Sequence, residues 1–294
     1  MHKQFSVPSV GAMISRKRFL ATAASFALTT ALARSASATT SESVPAIAVP
    51  SRDAFSLGVA GYSMREFTHE ETFQWLGRWE LRSWAIKDVH LPISSSPETI
   101  AALQSKCQAA GIKIYAAGVI YMKTEADVTN AFAYAQRLGI KLIVGVPETA
   151  LLPVVEKAVQ ATGIRLAIHN HGPDMGLFPT PASVYEQVKN FDARIGLCMD
   201  IGHTQRCGID PSDALEQYAE RIFDLHVKDV DHAEANGKTV PLGRGVIDIH
   251  RFVRTMRKVH YSGVCGLEFE STKTETIAGM AETIGYLRGV LSSS

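Results

Sequence analysis

His169 and His171 in "AIHNHG", Asp200 and His203 in "CMDIGH", His226, Lys228 and Asp229 in "LHVKD", and Glu268 and Glu270 in "LEFE" are the residues of this chain whose types could do chemistry together. Each motif continues an apolar run and sets an imidazole or a carboxylate where that run ends. Histidine, aspartate and glutamate drawn together form a mixed nitrogen and oxygen ligand set, suited to Mn2+, Co2+, Zn2+ or Mg2+ and poor for soft metals. One strand histidine alone is usually a hydrogen-bonded structural residue. Four consecutive runs ending this way point to a divalent metal site.

An alternation along the chain positions them. Apolar runs beginning at Phe55, Ser83, Ile112, Lys141, Ile164, Ile195, Ile222 and Val264 read as buried strands. Each is followed by a stretch with helical period. The second such stretch has Ser96 as N-cap, Pro97 at its first position and Gly111 at its end. Eight strands and eight helices across residues 55–294 predict an α/β fold, a (β/α)8 TIM barrel in a single domain. A doubly wound open sheet is the alternative, but "GVAGYSM" after the first strand lacks the GxGxxG spacing that fold uses for phosphate. In a barrel the active site lies at the carboxyl ends of the strands, and here the polar strand ends concentrate in strands five to eight.

These motifs, with "GRGVID" and in this order, resemble the xylose isomerase-like barrel superfamily over roughly residues 55–290. That superfamily holds sugar phosphate isomerases and epimerases, ketohexose 3-epimerases, inosose dehydratases and endonuclease IV. The resemblance implies Asp200, His226 and Glu268 as metal ligands, with His203 and Lys228, and beside them His171, turned toward substrate oxygens. His169 stands where the ketose epimerases carry a glutamate, so it is expected as the fourth ligand or as a second base. The implied activity is a metal-dependent sugar isomerase or epimerase, in which Glu268 takes a proton next to a carbonyl and the metal stabilises the enediolate. With one carboxylate of the epimerase pair absent, a dehydratase or lyase acting on a keto sugar, an inosose or a 3-keto-glycoside is the alternative. A non-catalytic sugar-binding barrel and an endonuclease IV-like nuclease are further readings; the third strand, "IKIYAAGVIYM", ends without the histidine a nuclease cluster needs.

Two more residues are candidates for substrate contact. Glu148 ends strand four and either faces the site or serves as a first-turn acid of the next helix. Arg244, in "PLGRGVID", either lies over the mouth to bind hydroxyls or an anion, or is a surface residue of a glycine turn. His90 ends strand two and could line the pocket. The aromatic cluster Phe67, Phe73, Trp75, Trp79 and Trp84 could stack on a sugar, although Trp75 and Trp79 share a helical face, which favours packing.

The N-terminus differs from the rest. Arg16, Lys17 and Arg18 precede a mildly apolar run from Phe19 to Leu32, and "ASA" at 36–38 offers a cleavage site. This pattern predicts an export signal over residues 1–38 and a linker over 39–54. "SRKRFL" resembles a twin-arginine signal, with Lys17 in place of the second arginine, so a periplasmic or exported protein is expected. The run is too short and too rich in Thr and Ala for a stable membrane span. Removing residues 1–38 leaves 25 basic against 29 acidic residues, which argues against a nucleic-acid partner and fits a small sugar or keto-sugar substrate. A homo-oligomer stays open. The four cysteines form no CxxC pair and read as free thiols.

Overall fold

A computed structural model describes residues 53–293. Eight parallel strands, β1 (Ser56–Val59), β2 (Ser83–Ile86), β3 (Lys113–Met122), β4 (Leu142–Pro147), β5 (Arg165–His169), β6 (Ile195–Asp200), β7 (Ile222–Val227) and β10 (Val264–Leu267), close into a barrel. Around it run β1, β10, β7, β6, β5, β4, β3 and β2, so β1 closes against β10. Between β7 and β10 the chain inserts an antiparallel hairpin, β8 (Asp229–Val230) with β9 (Thr239–Val240). The expected single-domain TIM barrel is therefore present.

The helices are α1 (His69–Arg78), α2 (Pro97–Ala109), α3 (Glu125–Arg137), α4 (Leu152–Thr162), α5 (Pro181–Val188), α6 (Ile201–Arg206), α7 (Pro211–Tyr218), α8 (Ile249–Lys258) and α9 (Lys273–Ser293). Their starts follow local chemistry. Thr68 and Thr124 form capping boxes with Glu71 and Asp127, and Ser96 accepts the Thr99 N–H ahead of Pro97. The extra helix relative to strict alternation is α6, a short turn that begins directly at the end of β6.

Side chains alternate across each strand, which divides the core into two shells. The outer shell, between strands and helices, holds large residues such as Trp84, Leu197 and Leu225 together with the α8 stripe Ile249, Phe252, Val253 and Met256. Truncating Phe252, which is 1% exposed, would cost about 3–5 kcal/mol. Inside the barrel alanines predominate, Ala85, Ala116 and Ala167, with Cys198, Val144 and Leu142. Two positions beyond Ala167 and Cys198, on the same strand face, stand His169 and Asp200.

Phe67, Trp79 and Trp84 are core residues, and the Trp75 and Trp79 rings lie 5.6 Å apart, so helix packing accounts for most of the aromatic cluster. All four cysteines are free. Among the described residues no helix is long and apolar enough to cross a membrane. The expected export signal and residues 39–52 of the linker lie outside the described residues.

Candidate active site

The barrel order makes β5, β6, β7 and β10 neighbours, and their registers bring the polar strand ends together. Asp200 pairs across from His226, and His226 from Gly266. One donor atom from each of His169, Asp200, His226 and Glu268 lies within 4.8 Å of the others, and all four residues are buried. His169 Nε2 faces His226 Nδ1 at 2.9 Å and Asp200 Oδ2 at 3.5 Å, while His226 Nδ1 is 3.4 Å from Glu268 Oε2. Facing ring nitrogens share one hydrogen, so one of the two donates and the other accepts with its lone pair.

Asp200 is held from both sides. Its N–H donates to Asn170 Oδ1 at 2.9 Å, and its Oδ1 caps α6 by accepting the His203 N–H at 2.7 Å. Its Oδ2 is buried and points into the cluster, where the Lys228 ammonium pairs with it.

Lys228 supplies the counter-charge. Its Nζ is 3.0 Å from Asp200 Oδ2, 3.1 Å from Glu268 Oε2 and 3.1 Å from His203 Nε2, and it also bonds Glu270 Oε1. Gly202 in the "DIGH" motif lets its stem pass, since a Cβ there would meet Lys228 Cγ at 2.6 Å. Burial is the largest single influence on Asp200 and Glu268 and works against their charge, but the Lys228 ammonium together with the neighbouring histidines, His203 and His169 at Asp200 and His226 at Glu268, holds both carboxyls below their usual range. Burial pulls His169 well down, keeping its ring neutral, and burial followed by Lys228 pulls His203 down to about 4. His169 and His203 are thus in the neutral form that ligates metals and accepts from hydroxyls, whereas the burial of His226 is overcome by Cys198 and Glu268 together, which push it up.

Beneath the four donors lies a floor that reading the sequence missed. Asp224, fully buried and two residues before His226, has its Oδ2 3.5 Å from the Tyr115 hydroxyl, 3.8 Å from Cys198 Sγ and 3.9 Å from His226 Nε2. Burial pushes its carboxyl up to about 7. Gly266 leaves room for Tyr115, whose hydroxyl a Cβ at that position would approach to 2.9 Å. Strand alternation could have found Asp224, because a residue two before an inward-facing ligand also faces inward. Tyr121 was also missed: His171 Nδ1 approaches the His169 carbonyl at 3.3 Å, which leaves Nε2 to accept the Tyr121 hydroxyl at 2.9 Å.

The family described as xylose isomerase-like TIM barrel matches residues 80–290. This chain belongs to it. Solved structures share the fold of this xylose isomerase-like barrel at low identity. A sugar phosphate isomerase/epimerase from Parabacteroides distasonis is 15% identical, with 82% of this chain and 98% of that one covered and a TM-score of 0.60. A D-tagatose 3-epimerase-like protein is 17% identical, with 80% and 99% covered and a TM-score of 0.62. The probable 3-DHS dehydratase AsbF from Bacillus anthracis is 14% identical, with 80% and 99% covered and a TM-score of 0.64. No curated protein sequence matches the chain.

The remaining candidates divide. His171 and His203 border the four donors of this xylose isomerase-like site, with ring centroids 4.3 and 5.9 Å from that of His169. Arg244 is not brought to the cluster: it is largely exposed and its guanidinium bonds Glu282 on α9. Glu148 heads the 3-10 turn Thr149–Leu151 without capping it, and it is not one of the convergent donors. His90 packs edge-on against Trp84 at 4.9 Å and bonds the Met64 carbonyl at 2.8 Å, which makes it a structural residue. Asp229 turns away from its neighbour Lys228, and its carboxylate accepts the N–H groups of Val230, Gly243, Gly245 and Ile247. The final residue of "HVKD" therefore anchors the "GRGVID" loop.

Proposed function

We propose that this protein is a divalent-metal-dependent enzyme that isomerises or epimerises a sugar by removing a proton beside a carbonyl. The observation that carries the reading is the convergence of His169, Asp200, His226 and Glu268, whose donor atoms lie within 4.8 Å of one another. Two imidazoles and two carboxylates suit Mn2+, Co2+, Zn2+ or Mg2+, and the buried Oδ2 of Asp200, which pairs with the Lys228 ammonium at 3.0 Å, turns toward the other three donors. These four residues would hold the ion, and a cation bound there supplies Lewis-acid stabilisation of negative charge on a substrate oxygen.

The chain's own groups handle the proton and the hydroxyls. Glu268 takes the proton from the carbon beside the carbonyl. Its pairing with Lys228 weakens it as a base, but Lys228 also touches Asp200 and Glu270, so the ammonium keeps its partners when Glu268 becomes neutral. His203, uncharged and near the opening lined by Lys228, Lys238 and Glu270, accepts from a substrate hydroxyl. The family membership and neighbours named as isomerase/epimerase and epimerase-like support this reading.

A dehydratase is the second reading, favoured by His169 standing where family epimerases carry glutamate and being kept neutral by burial. One carboxylate suffices to remove a proton before a β-leaving group departs. The test is incubation with keto sugars, inososes and 3-keto-glycosides in D2O with each of the four metals, followed by NMR. Deuterium at the α-carbon with an epimer or isomer as product supports the first reading, and an olefinic product supports the second. Neither exchange nor product with any pair sinks both.

We also propose export, on the basic cluster and "ASA" site of the N-terminus. Replacing Arg16 and Lys17 by Gln should stop periplasmic accumulation; unchanged accumulation rules out the twin-arginine route.

A further inference from the structure

The four-donor cluster leaves the neighbouring groove unexplained. Tyr121, at the end of β3, is 46% exposed although its hydroxyl bonds His171. One end of the residue thus reaches the imidazoles while its ring lines a groove of 830 Å3 between the β2–α2 connection and α3. Asp88, Ser94, Ser96, Asn130 and Arg137 complete the groove. Its volume falls within the roughly 300–1,000 Å3 of small-molecule sites. On α3 the lining extends from Asp127 to Arg137, about 15 Å at the helical rise, which is longer than one hexose ring.

Hydroxyls, a carboxylate, an amide and a guanidinium beside an exposed aromatic face are the groups that pair with sugar hydroxyls and with the C–H face of the ring. Burial, then the Tyr62 hydroxyl and the Glu268 and Glu270 carboxylates, pushes the Tyr121 phenol up, which puts Tyr121 within electrostatic reach of the reacting carboxylate. Tyr62 is itself 39% exposed, with the Arg65 guanidinium 4.4 Å from its ring centre. Among the described residues every exposed large apolar side chain, Tyr62, Val89, Tyr121, Met175 and Val246, follows the carboxyl end of a barrel strand or lies at it. Exposed apolar side chains are thus found at the rim that carries the carboxyl ends of the strands.

We propose that this groove is a second sugar subsite, so that the substrate is a glycoside whose reacting ring sits at the four-donor cluster and whose second ring lies along α3 against Tyr121. The inference rests on the sugar-active reading above, and binding rather than turnover tests it. The probes are a panel of glucosyl, galactosyl and mannosyl disaccharides and the corresponding methyl hexosides, titrated by calorimetry and by saturation-transfer NMR. At least one disaccharide should bind about tenfold more tightly than its methyl hexoside, with saturation reaching both rings. Asn130→Trp and, independently, Ser94→Trp fill the groove and should reduce that advantage to less than about twofold. The subsite is overturned if no disaccharide outbinds its methyl hexoside, or if the advantage survives in both folded variants. A protein that shows the advantage but turns over no sugar keeps the subsite and sinks the enzymatic reading, whereas turnover of keto-monosaccharides without any advantage sinks the subsite alone.

Discussion

Strands β1–β4 and strands β5, β6, β7 and β10 form two halves of one barrel, yet their carboxyl ends carry different chemistry. In the first half β1 runs into Ala60 and Gly61, β2 into Lys87, which pairs with its exposed neighbour Asp88, and β4 into Glu148. In the second half the ends are His169, Asp200, His226 and Glu268, all buried. The contrast follows from electrostatics: an isolated buried charge costs several kcal/mol, so buried charges occur where they compensate one another. Lys228 among Asp200, Glu268 and Glu270 meets that condition, and nothing in the first half does. The half without the buried charge cluster is left to offer hydroxyls, exposed charges and an aromatic face at its rim.

The sharpest test of this division is Glu268→Gln, which should slow α-proton exchange with D2O by about a hundredfold to ten-thousandfold, the usual range for a general base. Full exchange by NMR at matched metal content would remove Glu268 as the sole base. His169→Gln in the same assay should stop net epimerisation yet leave exchange on one face if His169 is the second base; elimination that continues identifies a lyase.

Next comes the same change made at two strand ends. Asp200→Asn should weaken divalent metal affinity by more than about 100-fold, because partners one layer further out are already worth 10–100-fold. Glu148→Gln should change it less than about threefold, and a comparable loss, measured by calorimetry and elemental analysis, would extend the metal centre to β4 and break the comparison.

Asp224→Asn probes the floor. A weakening of metal affinity by about tenfold is expected if Asp224 orients His226 from below; unchanged affinity would make it a packing residue. His203→Ala keeps its backbone N–H for the Asp200 cap, so metal content should stay constant while KM rises about tenfold for loss of one hydrogen bond. Equal loss of metal in His203→Ala and Asp200→Asn would erase the division between ligand and substrate contact.

The smallest effect concerns thiols. Burial pushes Cys107 up to about 11 and Cys198 up to about 12, so a maleimide at pH 8 should label half-buried Cys207 first and leave activity nearly unchanged. Rapid labelling of Cys198 would mean that the floor opens.

The barrel and its four convergent donors were legible in the sequence, because both depend on order along the chain. A buried parallel strand reads as an apolar run, and the residue that ends it faces the active side wherever the helices pack. His169, Asp200, His226 and Glu268 could thus be placed at the same end of the barrel from their motifs. Which neighbours those residues meet is a long-range matter that only closure of the barrel decides. Tyr115 on β3 reaching Asp224 on β7 and the space Gly266 leaves on β10, and Lys228 after β7 threading past Gly202 of α6, each join residues from different elements. Arg244 and Asp229 show the same limit from the other side. Arg244 was open between the mouth and a surface turn and Asp229 stood among the polar strand ends, but α9 offered Arg244 a carboxylate, and Val230 with the loop after the hairpin offered Asp229 four backbone donors. A charged side chain goes to the partners that the tertiary structure presents, and sequence spacing does not encode them.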